Sequence, residues 1–389
     1  MKKKYIIFLI ITLVLLVVLI TSFNYFKTTN TYIDDSVNNQ TKITKGISMN
    51  LEQTAGAGDY KTVTRSSWPT EGYKFNTELS RCENGGEINW DDINKKVIVT
   101  GNVSDKCYVY FDIWIPSIAA YCTSGTDLAT CVKNFGDQGP SVSNIYIHNS
   151  ALTNGAGDNS YRYAGANPNN YVCFGSEATT CPDANLFRII GVFGDQAKVI
   201  RAKSVGDQPW HTSQVNNWSS SSLNTYLNGE YLTSLGTLAE KIATTTWKVG
   251  GGDEANISFS VPATAYQYEV GSSASTTTVD KKIGLMYVSD YYYGASPSAW
   301  TLVGYNKSDA TKDYRAATST NWLYLGSTEW TISRNSGYTY LAFLVNSAGY
   351  VYYSGYVPNS LAVRPSFNLL SSVKYISGSG SMSDPVRIN

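Results

Sequence analysis

The 389 residues are 42% hydrophobic but only 15% charged, against about 25% charged in ordinary soluble domains. The 30 basic and 30 acidic residues cancel, and three of the basic ones precede a long apolar run, which leaves the remainder slightly acidic. That excludes nucleic acid as an expected partner, because phosphate binding needs a clustered positive field.

The chain opens MKKK and then runs without a charge from Tyr5 to Phe26. As a helix such a run spans about 33 Å, enough for a hydrocarbon layer of about 30 Å. Lysines ahead of it and none within it place the N-terminus in the cytoplasm and the bulk outside. Residues 1–26 therefore read as cytoplasmic lysines and a transmembrane signal anchor, with the membrane as partner through residues 5–26. A cleaved signal peptide is the alternative, but the run is long for one and no clear small-x-small site follows. No cysteine follows closely, as a lipoprotein anchor requires, and the run lacks the glutamate of a type IV pilin-like N-terminus. Residues 27–66, rich in Thr, Asn, Ser, Gly and Lys without periodicity, read as a flexible stalk.

Residues 67–115 read as a small all-β module. GEINW and KKVIVTG suggest strands joined by a polar turn, and CYVYFDIWI alternates aromatic and β-branched residues. All six cysteines (Cys82, Cys107, Cys122, Cys131, Cys173, Cys181) follow the apolar run, and an even number there suits an oxidising compartment. We favour pairing neighbours: Cys82 with Cys107, which would staple a module small for an unaided core, Cys122 with Cys131, and Cys173 with Cys181. Zinc is the alternative, but no short-spaced knuckle occurs and only His148 and His211 are available to assist.

Residues 116–389 form the largest predicted region. Pro116 opens a short helical stretch, and a second runs from Asp127 to Phe135, ended by Gly136. Short strands follow in NIYIH, SYRYAG and NNYVCFG, then a hairpin of LFRIIGVFG and AKVIRAK turning at Gly194 and Asp195. SSSLNTYLNG reads as an amphipathic helix with Leu223, Tyr226 and Leu227 on one face and Gly229 just past its end, and a second helix runs from Tyr231 to Ala243. Strands return in IGLMYVS, NWLYLG, EWTISR, YTYLAFLV, YVYYSGYV and AVRPSFNLL. SDYYYGASPSAW reads as a loop, since three adjacent tyrosines cannot all point inward from a strand. Trp247, Trp322 and Trp330 read as core, and His211, with no acid or nucleophile partner in view, as surface. The predicted class is α+β.

From Asn185 onward, LFRIIGVFGDQAKVI, SSSLNTYLNGEYL, KIGLMYVSD, EWTISRNSG and AVRPSFNLL follow one another. In that order they resemble an uncharacterised bacterial extracellular domain family, itself similar to C-type-lectin-like folds and the formylglycine-generating-enzyme fold. The resemblance spans about 185–389, with Glu329, Trp330 and Thr331 in place of the usual tryptophan-rich strand. It implies a C-type-lectin-like C-terminal domain, two helices plus antiparallel strands, behind the β module and the transmembrane helix. Some surface proteins with this fold are diversified at Asn, Tyr, Ser and Asp positions where GYVYYSGYVPNS stands here (Gly349–Ser360). The oxidase sharing the fold depends on cysteines in its C-terminal portion, and none follows Cys181. No nucleophile elbow, zinc-type histidine pair, phosphate loop or calcium-lectin tripeptide is present, and Gly250–Gly252, followed by Asp253 and Glu254, reads as a turn. The expectation is no catalytic residue, no metal, no cofactor and no enzyme.

The candidate ligand-binding residues are Tyr338, Tyr340, Tyr350, Tyr352, Tyr353, Tyr356 and Asn359. Tyrosine offers a large rigid face and a hydroxyl that donates or accepts, while Ser, Gly and Asn adapt around it. The competing reading is that tyrosine is a good strand former. Alternation sets Tyr350, Tyr352, Ser354 and Tyr356 on one face. A four-residue loop at Asn346–Gly349 would pair Tyr352 with Phe343, toward the core, and a bulge near Ser354–Gly355 would change that register. The expected function is a membrane-anchored, single-pass bacterial surface protein, its bulk extracellular, that recognises a surface glycan or protein ligand, as an adhesin does. The alternatives are a structural envelope protein whose tyrosines pack, or an extracellular enzyme with an unrecognised site.

Overall fold

The computed structural model describes residues 46–389 apart from 55, 65–67, 70–71, 92–93, 95, 101–104 and 115. The transmembrane segment predicted at 5–26 and the first part of the predicted stalk lie outside the described residues. No helix among the described residues is long and apolar enough to cross a membrane. The chain divides into two compact units between residues 115 and 116.

The first unit begins inside what reads as stalk. Strand β1 (Ile47–Glu52) pairs antiparallel with β2 (Tyr60–Val63), and β3 (Tyr73–Cys82), β4 (Glu87–Asp91), β5 (Lys96–Thr100) and β6 (Cys107–Ile113) follow. The main sheet has the order β2-β1-β6-β3, with β1 parallel to β6, and β4 and β5 form a separate hairpin. ISMNLE does alternate, and Met49 and Leu51 are buried. Its polar face is buried too: Glu52 accepts from the backbone N–H of Ile113 at 2.9 Å and of Gly58 at 3.0 Å, and the Asn50 side chain accepts from the Thr62 hydroxyl at 2.7 Å. These hydrogen bonds make a polar-rich segment a central strand, which corrects the stalk boundary at 66. Phe75, Trp90 and Phe111 pack ring against ring in the core, and Cys82 is bonded to Cys107 where β3 and β6 lie in register.

The second unit is mixed α+β. It opens with a 3-10 turn (Ile118–Ala120) where Pro116 suggests a helix, then α1 (Leu128–Gly136), tied back by the Cys122–Cys131 disulfide. Next come β7 (Ile145–Ile147), β8 (Tyr161–Tyr163), β9 (Tyr171–Cys173), β10 (Leu186–Phe193), β11 (Gln196–Arg201) and β12 (Asp207–Pro209). The third disulfide, Cys173–Cys181, closes the loop after β9. Helix α2 (Ser222–Tyr226), capped by the Ser221 hydroxyl, runs on through a π turn (Leu227–Tyr231) to Ser234. Gly229 thus lies inside the helix rather than past its end. The wider turn buries both Leu227 and Tyr231. The helix predicted from Tyr231 to Ala243 is instead this final turn and a 3-10 segment (Gly236–Lys241).

Strand β13 (Thr245–Lys248), helix α3 (Pro262–Glu269), β14 (Thr278–Lys281) and helix α4 (Val288–Gly294) follow. IGLMYVS carries no strand, only an isolated bridge at Gly284 before its last two residues open α4, and NWLYLG is turns after an isolated bridge at Asn321. The chain finishes with β15 (Glu329–Arg334), β16 (Leu341–Val345), β17 (Val351–Tyr356), β18 (Ser360–Ala362), β19 (Ser366–Asn368), β20 (Tyr375–Ser377) and β21 (Val386–Ile388). One sheet runs β19-β11-β10-β9-β21-β20, with β8 on β10 and β7 on β8; a second runs β12-β18-β15-β16-β17. Pairing is mainly antiparallel, but β9 with β21 and β15 with β18 are parallel. Trp247, Trp322 and Trp330 are all buried. Within this core Arg364 donates to both Glu329 oxygens, at 2.7 and 2.6 Å, the paired form a buried charge requires.

Candidate functional site

β17 is an edge strand of its sheet, and its register decides where the tyrosines go. Leu344 faces Tyr352 and Ala342 faces Gly355, so Tyr353 and Ser354 together oppose Phe343. A five-residue loop, 346–350, already replaces the expected Tyr352–Phe343 pair by setting Val345 opposite Val351, and the bulge then turns adjacent tyrosines toward one surface. Gly355 is glycine for a reason of space: a Cβ there would lie 2.6 Å from the Ala342 carbonyl and 2.6 Å from the Trp330 ring. The far edge of β17 is held by two loops. The Val351 N–H donates to the Gly304 carbonyl at 3.0 Å, and the Ser258 hydroxyl to the Val351 carbonyl at 2.6 Å. Tyr305 donates its N–H to the Ser258 carbonyl at 2.8 Å. Those bonds bring Phe259 and Tyr305 to the side of β17.

The result is a continuous aromatic surface. Tyr305 stacks on Tyr350 with centroids 4.7 Å apart and planes 26° apart. Tyr352 meets Tyr305 at 6.0 Å, Tyr350 at 5.9 Å and Tyr353 at 5.2 Å. Phe259, 42% exposed, closes the row at 5.2 Å from Tyr353. The Arg315 guanidinium lies 5.5 Å from the Tyr305 centroid and 5.3 Å from that of Tyr350. It is paired with Asp313 at 2.6 Å, which offsets its charge. A second group adjoins it: Tyr338 and Tyr340, 41% and 42% exposed, have centroids 6.1 Å apart, and Tyr340 is 6.3 Å from Tyr356. Asn359 is exposed in the turn beyond, its N–H on the Tyr356 carbonyl at 2.9 Å.

Burial, more than any neighbour, pushes the Tyr350 phenol above its ordinary value, with Tyr305 and Tyr352 adding to it. Tyr353 is raised in the same way, with Tyr352, Glu254, Tyr305 and Tyr338 as charge neighbours. These phenols stay neutral through the physiological range. Among the described residues, none of the hydroxyls of Tyr305, Tyr338, Tyr340, Tyr350, Tyr352, Tyr353 or Tyr356 has a hydrogen-bond partner in the protein. The arrangement offers flat faces for stacking and uncommitted donors and acceptors beside them.

Every tyrosine singled out from the sequence lies in one of the two groups. Phe259, Tyr305 and Arg315 do not stand out in the sequence, since loops far apart along the chain deliver them. SDYYYG departs from the loop reading: it forms α4, every residue of which is buried. Successive residues of a helix point some 100° apart, so three tyrosines can all be buried when core surrounds the helix. Tyr291 donates to the Gly349 carbonyl at 2.6 Å, Tyr292 to Ile257 at 2.8 Å and Tyr293 to Asn154 at 3.2 Å.

His211 is half-buried and accepts from the Ser213 N–H at 3.3 Å. The one metal-type cluster among the described residues, Cys82, Asp105 and Cys107, has its sulfurs consumed in a disulfide. Residues 194–371 match a family described as a domain of unknown function, DUF6273. No curated protein and no solved structure matches the chain.

Proposed function

We propose that this is a single-pass, membrane-anchored bacterial surface protein whose second unit recognises a glycan through the aromatic surface beside β17. The observation that carries the reading is the row Phe259, Tyr353, Tyr352, Tyr305 and Tyr350, uncharged rings in ring-to-ring contact with hydroxyls not used within the protein. Sugar rings present apolar faces to stack on and neutral hydroxyls to bond, and such contacts depend little on salt. A C-type-lectin-like fold for the second unit, and an outward orientation set by the lysines before residue 5, belong to the same reading. Three disulfides suit an oxidising compartment.

The test is binding of the full chain, in detergent, to a glycan panel at low and high salt. Phe259→Ala with Tyr353→Ala should weaken binding at least about tenfold, roughly 1.4 kcal/mol, with melting nearly unchanged. Unaltered binding in that variant, or no glycan bound at millimolar concentration, would sink the reading. A protein ligand on the same surface is the outcome signalled by an empty glycan panel and retained capture of a surface protein.

A further inference from the structure

Away from that surface, the second unit buries a group of charges that glycan recognition does not use. Lys198, on β11, is 4% exposed, and its Nζ lies 4.7 Å from the ring centroid of Tyr287, 5.4 Å from that of Trp247 and 5.5 Å from that of Phe193. Nζ is 2.5 Å from Oδ2 of Asp290 on α4, itself 3% exposed. The same Oδ2 accepts the Tyr287 N–H at 2.8 Å. Glu269, the last residue of α3, is 2% exposed, with Oε1 accepting from Val288 N–H and Oε2 from Ser289 N–H, both at 2.8 Å. The Ser333 hydroxyl also donates to it. Three consecutive backbone N–H groups, 287 to 289, therefore hold the two carboxylates at the start of α4, and the lysine reaches Asp290 from the sheet.

The charges do not simply cancel. Arg162 faces Oδ1 of Asp290 at 3.7 Å but is paired with Asp158 at 2.6 Å. Among the described residues no cation lies within ion-pair distance of Glu269. Burial lowers the Lys198 ammonium from its ordinary value against the pull of Asp290, and Glu269 also acts on that charge. Burial raises the Glu269 carboxyl. In each case exclusion of water works against the charged form.

We propose that Lys198 and Asp290 condense into an intramolecular amide bond. The ammonium passes one proton to Oδ2, leaving a neutral amine against a neutral acid. Nζ then attacks Cγ, one bond beyond Oδ2. The C–N bond forms and the negative charge collects on Oδ1, facing Arg162. The second proton passes from nitrogen to Oδ2 within the adduct, the Cγ–Oδ2 bond breaks, and water leaves. One positive and one negative charge disappear, and no oxidant or cofactor takes part. The bond would lock β11 to α4 independently of any ligand.

The deciding measurement is the intact mass of the full chain after reduction and alkylation, followed by proteolytic mapping. The expected mass is lighter than the sequence by one water, with a branched peptide joining the segments that contain Lys198 and Asp290. An unmodified mass with both linear peptides recovered would overturn the proposal. Lys198→Arg keeps a cation at that position and should restore the full mass; a water still missing there would place the loss elsewhere.

Discussion

Tyr291, Tyr292 and Tyr293 on α4 and Tyr350, Tyr352 and Tyr353 at β17 are near-identical in composition, yet the protein uses them in opposite ways. On α4 each ring is enclosed and each hydroxyl is bonded to a backbone carbonyl. Around β17 the rings are half-buried and touch one another, while their hydroxyls are left over. A buried phenol without a partner carries a desolvation penalty, which the receiving carbonyls remove on α4, while Tyr163 and Tyr231 elsewhere in the core have no such partner among the described residues. Ring count does not separate the two regions; the commitment of the hydroxyl does. They also meet at Gly304, where a Cβ would lie 1.7 Å from the Tyr292 hydroxyl. The buried tyrosine sits beneath the backbone that presents Tyr305.

Substitutions can break this contrast, starting where the effect is greatest. Tyr292→Ala empties a site between Tyr314, 4.5 Å away, and the Ile257 carbonyl, and should cost about 3–5 kcal/mol in denaturant unfolding. A loss below about 1 kcal/mol would mean the triplet is not core. Acid sharpens the buried side through His148, which packs on Tyr293 at 4.5 Å and accepts the Ala156 N–H on Nδ1 at 3.0 Å. Burial first, then the Arg162 charge, hold this imidazole at about 2 instead of 6.5. The unfolded chain therefore takes up the proton first, and stability falls as pH drops from about 6.5 toward 2, by up to about 1.4 kcal/mol per unit. Unfolding of wild type and His148→Gln from pH 7 to 4.5 should show the steeper loss in wild type, and parallel curves would refute the assignment. Tyr350→Ala removes a ring stacked on Tyr305 at the surface and should cost about 1 kcal/mol. Tyr338→Ala and Tyr340→Ala should shift stability by no more than about 0.5 kcal/mol. A larger loss from either would make the exposed group architectural.

How far these regions could be read in advance follows from their physics. The three disulfides join cysteines that are neighbours in sequence, two across short loops and Cys82–Cys107 across paired strands. The α+β class showed in runs such as LFRIIGVFG and EWTISR. Helix α4 was illegible because amphipathic periodicity needs a wet face, and this helix has none. In β1 the alternation was present, but burial of Asn50 and Glu52 depends on partners in β2 and β6 that no local pattern displays. The five-residue loop at 346–350, and the bulge beyond it opposite Phe343, set a register for β17 that alternation alone does not give. Phe259, Tyr305 and Arg315 join the site only through tertiary hydrogen bonds.

The parallel pairing of β9 with β21, Val172 beside Val386 and Cys173 beside Arg387, governs the timing of assembly. A chain emerging N-terminus first displays β9 long before β21 exists, so this sheet stays incomplete until residue 388 has been made. Such non-local closure slows folding and leaves a strand edge open to wrong partners in the interval. The short Cys173–Cys181 loop needs nothing downstream, and it can pin the end of β9 while the edge waits.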